Sequence, residues 1–85
     1  MSDNWNKRER PLRLEGRYEF PDYASLRDFL DRAAKVSEEI DLFPDMGFGR
    51  DYVNITIHAD GDELTERERG FAAAMDKLAA DEGQA

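Results

Sequence analysis

Asp41-Leu42-Phe43-Pro44-Asp45 is the stretch at which one kind of backbone must give way to another. Pro44 has no N–H and disfavours helical geometry at Phe43, so a helix arriving from upstream is expected to end here. The stop leaves two large apolar side chains, Leu42 and Phe43, at a helix end that faces the start of a sheet. They either complete a core or rim a pocket, and the function of the chain turns on which.

Upstream, Leu26, Phe29, Leu30, Ala33, Ser37 and Ile40 recur at spacings of three and four, which predicts one amphipathic helix over about 23–41. Asp22 is its expected N-cap, and Asp28–Arg32 and Asp31–Lys35 are i,i+4 pairs in the favourable order. Further back, Leu12, Leu14, Gly16, Tyr18 and Phe20 alternate with Arg13, Glu15, Arg17 and Glu19, the period of a half-buried strand. Residues 1–10 are polar, with one aromatic and no periodicity, and are read as a flexible tail whose removal should leave stability unchanged unless Trp5 docks.

Downstream, Met46-Gly47-Phe48-Gly49-Arg50 reads as a first hairpin strand or an irregular loop. Val53, Ile55 and Ile57 point to one face of a second strand, with Tyr52, Asn54, Thr56 and His58 on the other. Residues 59–63 carry turn chemistry, and Thr65 with Glu68 spells a capping box that opens a second helix. Phe71, Ala72, Met75, Leu78 and Ala79 form the stripe that this helix buries. The order strand, helix, hairpin, helix implies an α+β domain: an antiparallel β-sheet with two α-helices packed on one face. Its expected span is 11–81, with 82–85 a flexible C-terminus.

Eighty-five residues make one small domain, and so short a chain is marginal as a monomer, so a homodimer is expected. An uncovered sheet edge or a helix face would join the copies. Without cysteine there is no disulfide frame, thiolate nucleophile or thiolate metal site. No apolar run reaches the roughly 20 residues of a membrane span, which predicts a soluble, cytoplasmic protein. The net charge of −8 is uneven: residues 1–20 hold five Lys/Arg against four Asp/Glu, so the acid lies in the body. An acidic body argues against nucleic-acid binding, which needs clustered cations to neutralise phosphates.

The search for catalytic equipment is mostly negative. His58 is the only histidine, and acid–base or metal sites need several converging groups, so a surface or cross-strand role is the expectation for it. Asp60-Gly61-Asp62-Glu63 lacks the alternating ligands of a calcium loop. Gly47 and Gly49 give Gly-x-Gly without the rest of a dinucleotide fingerprint. No metal and no cofactor is predicted.

Taken together, Tyr18-Glu19-Phe20-Pro21-Asp22-Tyr23, Val53-Asn54-Ile55-Thr56-Ile57 and Leu64-Thr65-Glu66-Arg67-Glu68 resemble the pterin-4a-carbinolamine dehydratase family over about residues 12–80. In that resemblance they match the aromatic strand end before the long helix, the last strand, and the Leu-Ser/Thr-Glu-Arg-Asp entry to the final helix. Pro44 falls on the family's His-His-Pro, which sets its paired histidines on Leu42 and Phe43 and its third histidine on or near Asp60. The aromatic that follows falls near Arg50, with Tyr52 close by. Glu38 and Pro44 keep family-like residue types. The dehydration needs one proton given to a leaving hydroxyl and another taken from a ring nitrogen, work that suits imidazole. Leucine and phenylalanine can do neither, so the resemblance implies a kept fold and lost catalysis, with Glu38, Leu42, Phe43, Pro44 and Asp60 as remnants of the pocket. A short, cysteine-free member without the histidines is similar to the dehydratase-like Rubisco assembly factors of α-carboxysomes. That likeness implies a homodimeric, non-enzymatic chaperone, cytoplasmic or carboxysome-associated, with the Rubisco large subunit as partner. Leu42, Phe43, Asp45, Met46, Phe48 and Arg50 are the candidate partner-binding residues, because an apolar patch with a polar rim marks an interaction site. Two alternatives stay open: a residual or divergent 4a-hydroxytetrahydropterin dehydratase using Asp60, His58 and Glu38, and a pterin-binding protein without turnover.

Overall fold

The computed structural model describes residues 4–83; residues 1–3 and 84–85, parts of the ends expected to be flexible, lie outside the described residues. Six elements follow in order: β1 (Trp5–Glu9), β2 (Leu12–Glu19), α1 (Tyr23–Ile40), β3 (Asp45–Phe48), β4 (Tyr52–His58) and α2 (Glu66–Asp81). The strands form one antiparallel sheet in the order β1-β2-β4-β3. Both helices lie on one face of it, where Leu14, Tyr18, Val53, Ile55 and Ile57 meet Leu26, Phe29, Ala33, Phe71 and Met75. The α+β architecture is the one that the periodicities predict.

One strand is additional. The segment read as a flexible tail pairs along β2 from Trp5 opposite Gly16 to Glu9 opposite Leu12. Its pattern is one buried residue followed by four exposed ones, so no alternation announces a strand. Trp5 holds it in place. Its indole lies over Gly16, where an added Cβ would stand 2.7 Å from three ring atoms. A glycine inside a strand commonly marks such a close approach. Trp5 Nε1 donates to the Tyr18 hydroxyl at 2.6 Å and to Asp76 Oδ1 at 3.1 Å, and that hydroxyl also donates to Asp76 Oδ1. Burial, and then the Asp76 carboxylate, raise the Tyr18 phenol well above its ordinary range. The tie joins the first strand to the last helix.

Helix α1 starts where Asp22 Oδ1 accepts the Ser25 N–H at 2.8 Å, as its sequence predicts. It ends four residues before Pro44. Asp41 takes the left-handed conformation, φ 60° and ψ 47°, and the Leu42 N–H reaches back to the Ser37 carbonyl. Aspartate is among the few residues besides glycine that tolerate this conformation. Arg32, expected to pair with Asp28, reaches instead to Asp81 and Glu82 at the end of α2, at 3.4 and 3.1 Å. Helix α2 opens on the expected capping box. The Thr65 N–H donates to Glu68 Oε1 at 3.1 Å and the Thr65 hydroxyl to Oε2 at 2.7 Å.

Candidate functional site

Asp41 turns the chain sharply enough that its two neighbours part company. Leu42 drops into the core at 8% exposure, whereas Phe43 stands out at 69%. The two options posed by the sequence, core or rim, are thus divided between adjacent residues. Pro44 then leads into β3, which pairs with β4 from Asp45 opposite Thr56 to Phe48 opposite Val53. Met46 is half-buried against the core, and Phe48 is 55% exposed.

Phe43 and Pro44 form a common wall between two hollows. The first, about 330 Å³, is bounded further by Asp41, His58, Asp60, Arg67 and Glu68. The second, about 380 Å³, is bounded by Leu30, Ala34, Ser37, Glu38 and Met46. The first mixes charged with apolar groups, Leu42 and Ile57 lining it beside Asp41, Asp60 and Arg67, and the second is mostly apolar. Glu38 and Asp60, the remnants of a pocket in the sequence reading, therefore open onto different hollows. Arg50 joins neither; it borders a separate hollow with Pro21, Asp22, Tyr23 and Asp51.

The polar hollow already holds a cation. Arg67 donates through Nε to the Ile40 carbonyl at 3.4 Å, through Nη2 to the Asp41 carbonyl, and through Nη1 to Asp60 Oδ2 at 3.4 Å. Those carbonyls close α1, so the guanidinium meets the negative end of that helix dipole. Arg67 is two residues past the N-cap of α2, and nothing in the spacing of the sequence signals this reach. Burial pushes the Glu68 carboxyl up, but hydrogen bonds from Thr65, with the nearby Arg67 charge, outweigh it and hold it below its ordinary value.

Proton transfer finds little here. His58 Nε2 sits 3.0 Å from Asp45 Oδ2 at an exposed position, while Asp60 answers Arg67. Each is engaged by an exposed neighbour, and the Leu42 and Phe43 side chains carry no proton to give. Among the described residues no group of three or more His, Asp or Glu could hold a metal ion. On the open face of the sheet a further hollow lies between Asn6, Glu15, Arg17, Asn54 and Thr56. Its charges largely satisfy one another. Arg17 stacks 4.5 Å from the Tyr52 ring centre and donates to Asn54, while Arg8 and Arg13 both bind Glu15. The exposed aromatic ridge is the less satisfied surface. No helix among the described residues is long and apolar enough to cross a membrane.

No family model and no curated protein matches the chain. Solved structures do. A pterin dehydratase-like protein identified as a RuBisCO assembly factor in the alpha-carboxysome is 44% identical, covering 89% of this chain and 89% of that one, with a TM-score of 0.82. A transcriptional coactivator/pterin dehydratase from Brucella melitensis matches at the same TM-score of 0.82. It is 23% identical over 91% of this chain and 83% of that one, a likeness of fold.

Proposed function

This chain belongs to the pterin dehydratase-like family, and from that premise we propose that it is a non-catalytic member serving as a Rubisco assembly factor in α-carboxysome biogenesis. The observation that carries the reading is Phe43. A residue 69% exposed and without a transferable proton stands where the sequence resemblance sets an active-site imidazole. A large exposed ring is a poor acid and a good anchor, since aromatic residues dominate binding hot spots. The 44% identity to a described assembly factor supports the same direction. The partner is the Rubisco large subunit, met at Phe43, Asp45, Met46 and Phe48, with Leu42 buried behind them as support and Arg50 at the periphery. The protein works in the cytoplasm and at the forming carboxysome.

The acting form is a homodimer. Edge strand β1 is guarded by Lys7, Arg8 and Glu9, whereas β3 at the other edge leaves its outer backbone unpaired with one charged residue, Asp45, so the copies join through main chain and leave the side chains of the ridge to the partner. Uncharged edges invite pairing. Light scattering should give twice the mass of one chain, and a single-chain mass at every concentration would remove the dimer.

Co-expression with Rubisco large subunits is the test of function. Assembled holoenzyme should rise severalfold with this chain and fall back with Phe43→Ala; a yield indifferent to the chain would end the proposal. Dehydration of 4a-hydroxytetrahydropterin should run at its spontaneous rate. Turnover that disappears in Asp60→Ala would restore the enzymatic reading.

A further inference from the structure

The Phe43–Pro44 ridge separates an apolar hollow from a mixed one that holds more carboxylates than cations, and that pairing constrains what can sit across it. The apolar side, floored by Leu30, Ala34 and Met46, accepts a large aliphatic or aromatic side chain. The polar side presents Asp41 and Asp60 against one guanidinium, that of Arg67, while the Glu68 carboxylate is buried and spent on capping α2. Glu38 adds a further negative charge at the apolar rim. Among the described residues, the carboxylates of Asp41 and Glu38 have no hydrogen-bond or ion-pair partner, and Asp60 holds Arg67 while keeping 85% of its side chain exposed. Arg67 already takes the backbone carbonyls of Ile40 and Asp41 and one Asp60 oxygen, so the negative charge open to a partner lies on the Asp41 and Glu38 carboxylates and the exposed remainder of Asp60. A second copy seated on the ridge would bring the same carboxylates against these, in a chain of net charge −8. Like charges brought together at an interface are costly.

We propose that the ridge docks a cationic amphipathic segment of the client protein, with an apolar side chain in the Leu30–Ala34–Met46 hollow and an adjacent Arg or Lys against Asp41 and Asp60. The proposal rests on the assembly-factor reading for the identity of the client, and adds the chemistry by which the client is chosen. Phe43 supplies the shared wall, packing against the apolar group on one side and the cation on the other.

The probe is an array of overlapping synthetic peptides covering the Rubisco large subunit, presented to the full-length chain. Bound peptides should combine a large apolar residue with a nearby Arg or Lys. Their affinity should fall severalfold as salt rises, because the charged contact is solvent-exposed. Phe43→Ala should weaken binding at least tenfold. The triple variant Glu38→Gln, Asp41→Asn, Asp60→Asn should do so too, with its melting temperature checked; asparagine keeps the left-handed turn at Asp41. Peptides lacking basic residues, or binding indifferent to the triple variant, would overturn the proposal. So would a mass that halves in Phe43→Ala, which would assign the ridge to a second copy. If the triple variant raises holoenzyme yield as well as the parent chain does, the docking chemistry fails while the assembly role stands. If the parent chain fails to raise yield and yet binds basic amphipathic peptides, the assembly role fails while the docking chemistry stands.

Discussion

Leu42 and Phe43 differ by one position and by almost the whole range of solvent exposure, so their substitutions should report on different things. Leu42→Ala removes a buried side chain and leaves a cavity, at a cost of about 2–5 kcal/mol. Phe43→Ala should change stability by no more than about 0.5 kcal/mol, as exposed positions do. Urea denaturation of the two variants checks both values. A Phe43→Ala variant that melts like Leu42→Ala would mean that the ring is packed and no anchor. From the sequence this division is invisible: both residues are large and apolar, and only the left-handed turn at Asp41 sends them apart. Gly16 was similarly unreadable, since a glycine within a strand gives no sign of which ring lies over it. Gly16→Val would drive its side chain into the Trp5 indole, costing about 1–3 kcal/mol as overpacking does.

Among elements, the two helices and the two central strands are legible because each carries a full period of apolar positions. Strand β1 is not, because only Trp5 turns inward and everything after it is polar. Its evidence is distributed over three elements, in Gly16 of β2, Tyr18 of β2 and Asp76 of α2, far from one another in sequence. The expectation that residues 1–10 can be removed freely is therefore reversed. Deleting them uncovers core and strips β2 of one of its two partners, and should lower stability by at least the roughly 3–5 kcal/mol of a buried Trp→Ala change. An unchanged melting temperature in the truncated chain would show that β1 contributes nothing. The start of α2 has a pH signature. The Glu68 carboxyl is held below its ordinary value of 4.5 in the folded state, so the unfolded chain binds its proton more readily. Its contribution is complete above 4.5 and is lost as pH falls through the lower folded value. Glu68→Gln should flatten that part of the stability curve in acid titrations of melting temperature, and an equally steep curve would assign the slope to other carboxylates.

For the whole molecule, the sheet separates two kinds of surface. Its open face consumes its own charge, with Arg8 and Arg13 on Glu15 and Arg17 over Tyr52. The acidic excess falls to the helices, the loops and the ridge ahead of β3. The sequence shows this imbalance as a nearly neutral beginning and an acidic body, without showing that the beginning forms two neighbouring strands. The candidate site is likewise half legible. Its position at Asp41–Asp45 comes from the proline stop and the family resemblance, while Leu30 and Ala34 join it only once the chain folds back along α1, and Arg67 only once α2 is set beside the end of α1. Trp5 has one more property. It is the only tryptophan in the chain, buried on an edge strand and hydrogen-bonded to a tyrosine and a carboxylate. Its fluorescence is therefore a built-in optical gauge of whether β1 is seated. A client that binds at the ridge should leave the emission where it is, and heat should redden it as the strand peels away.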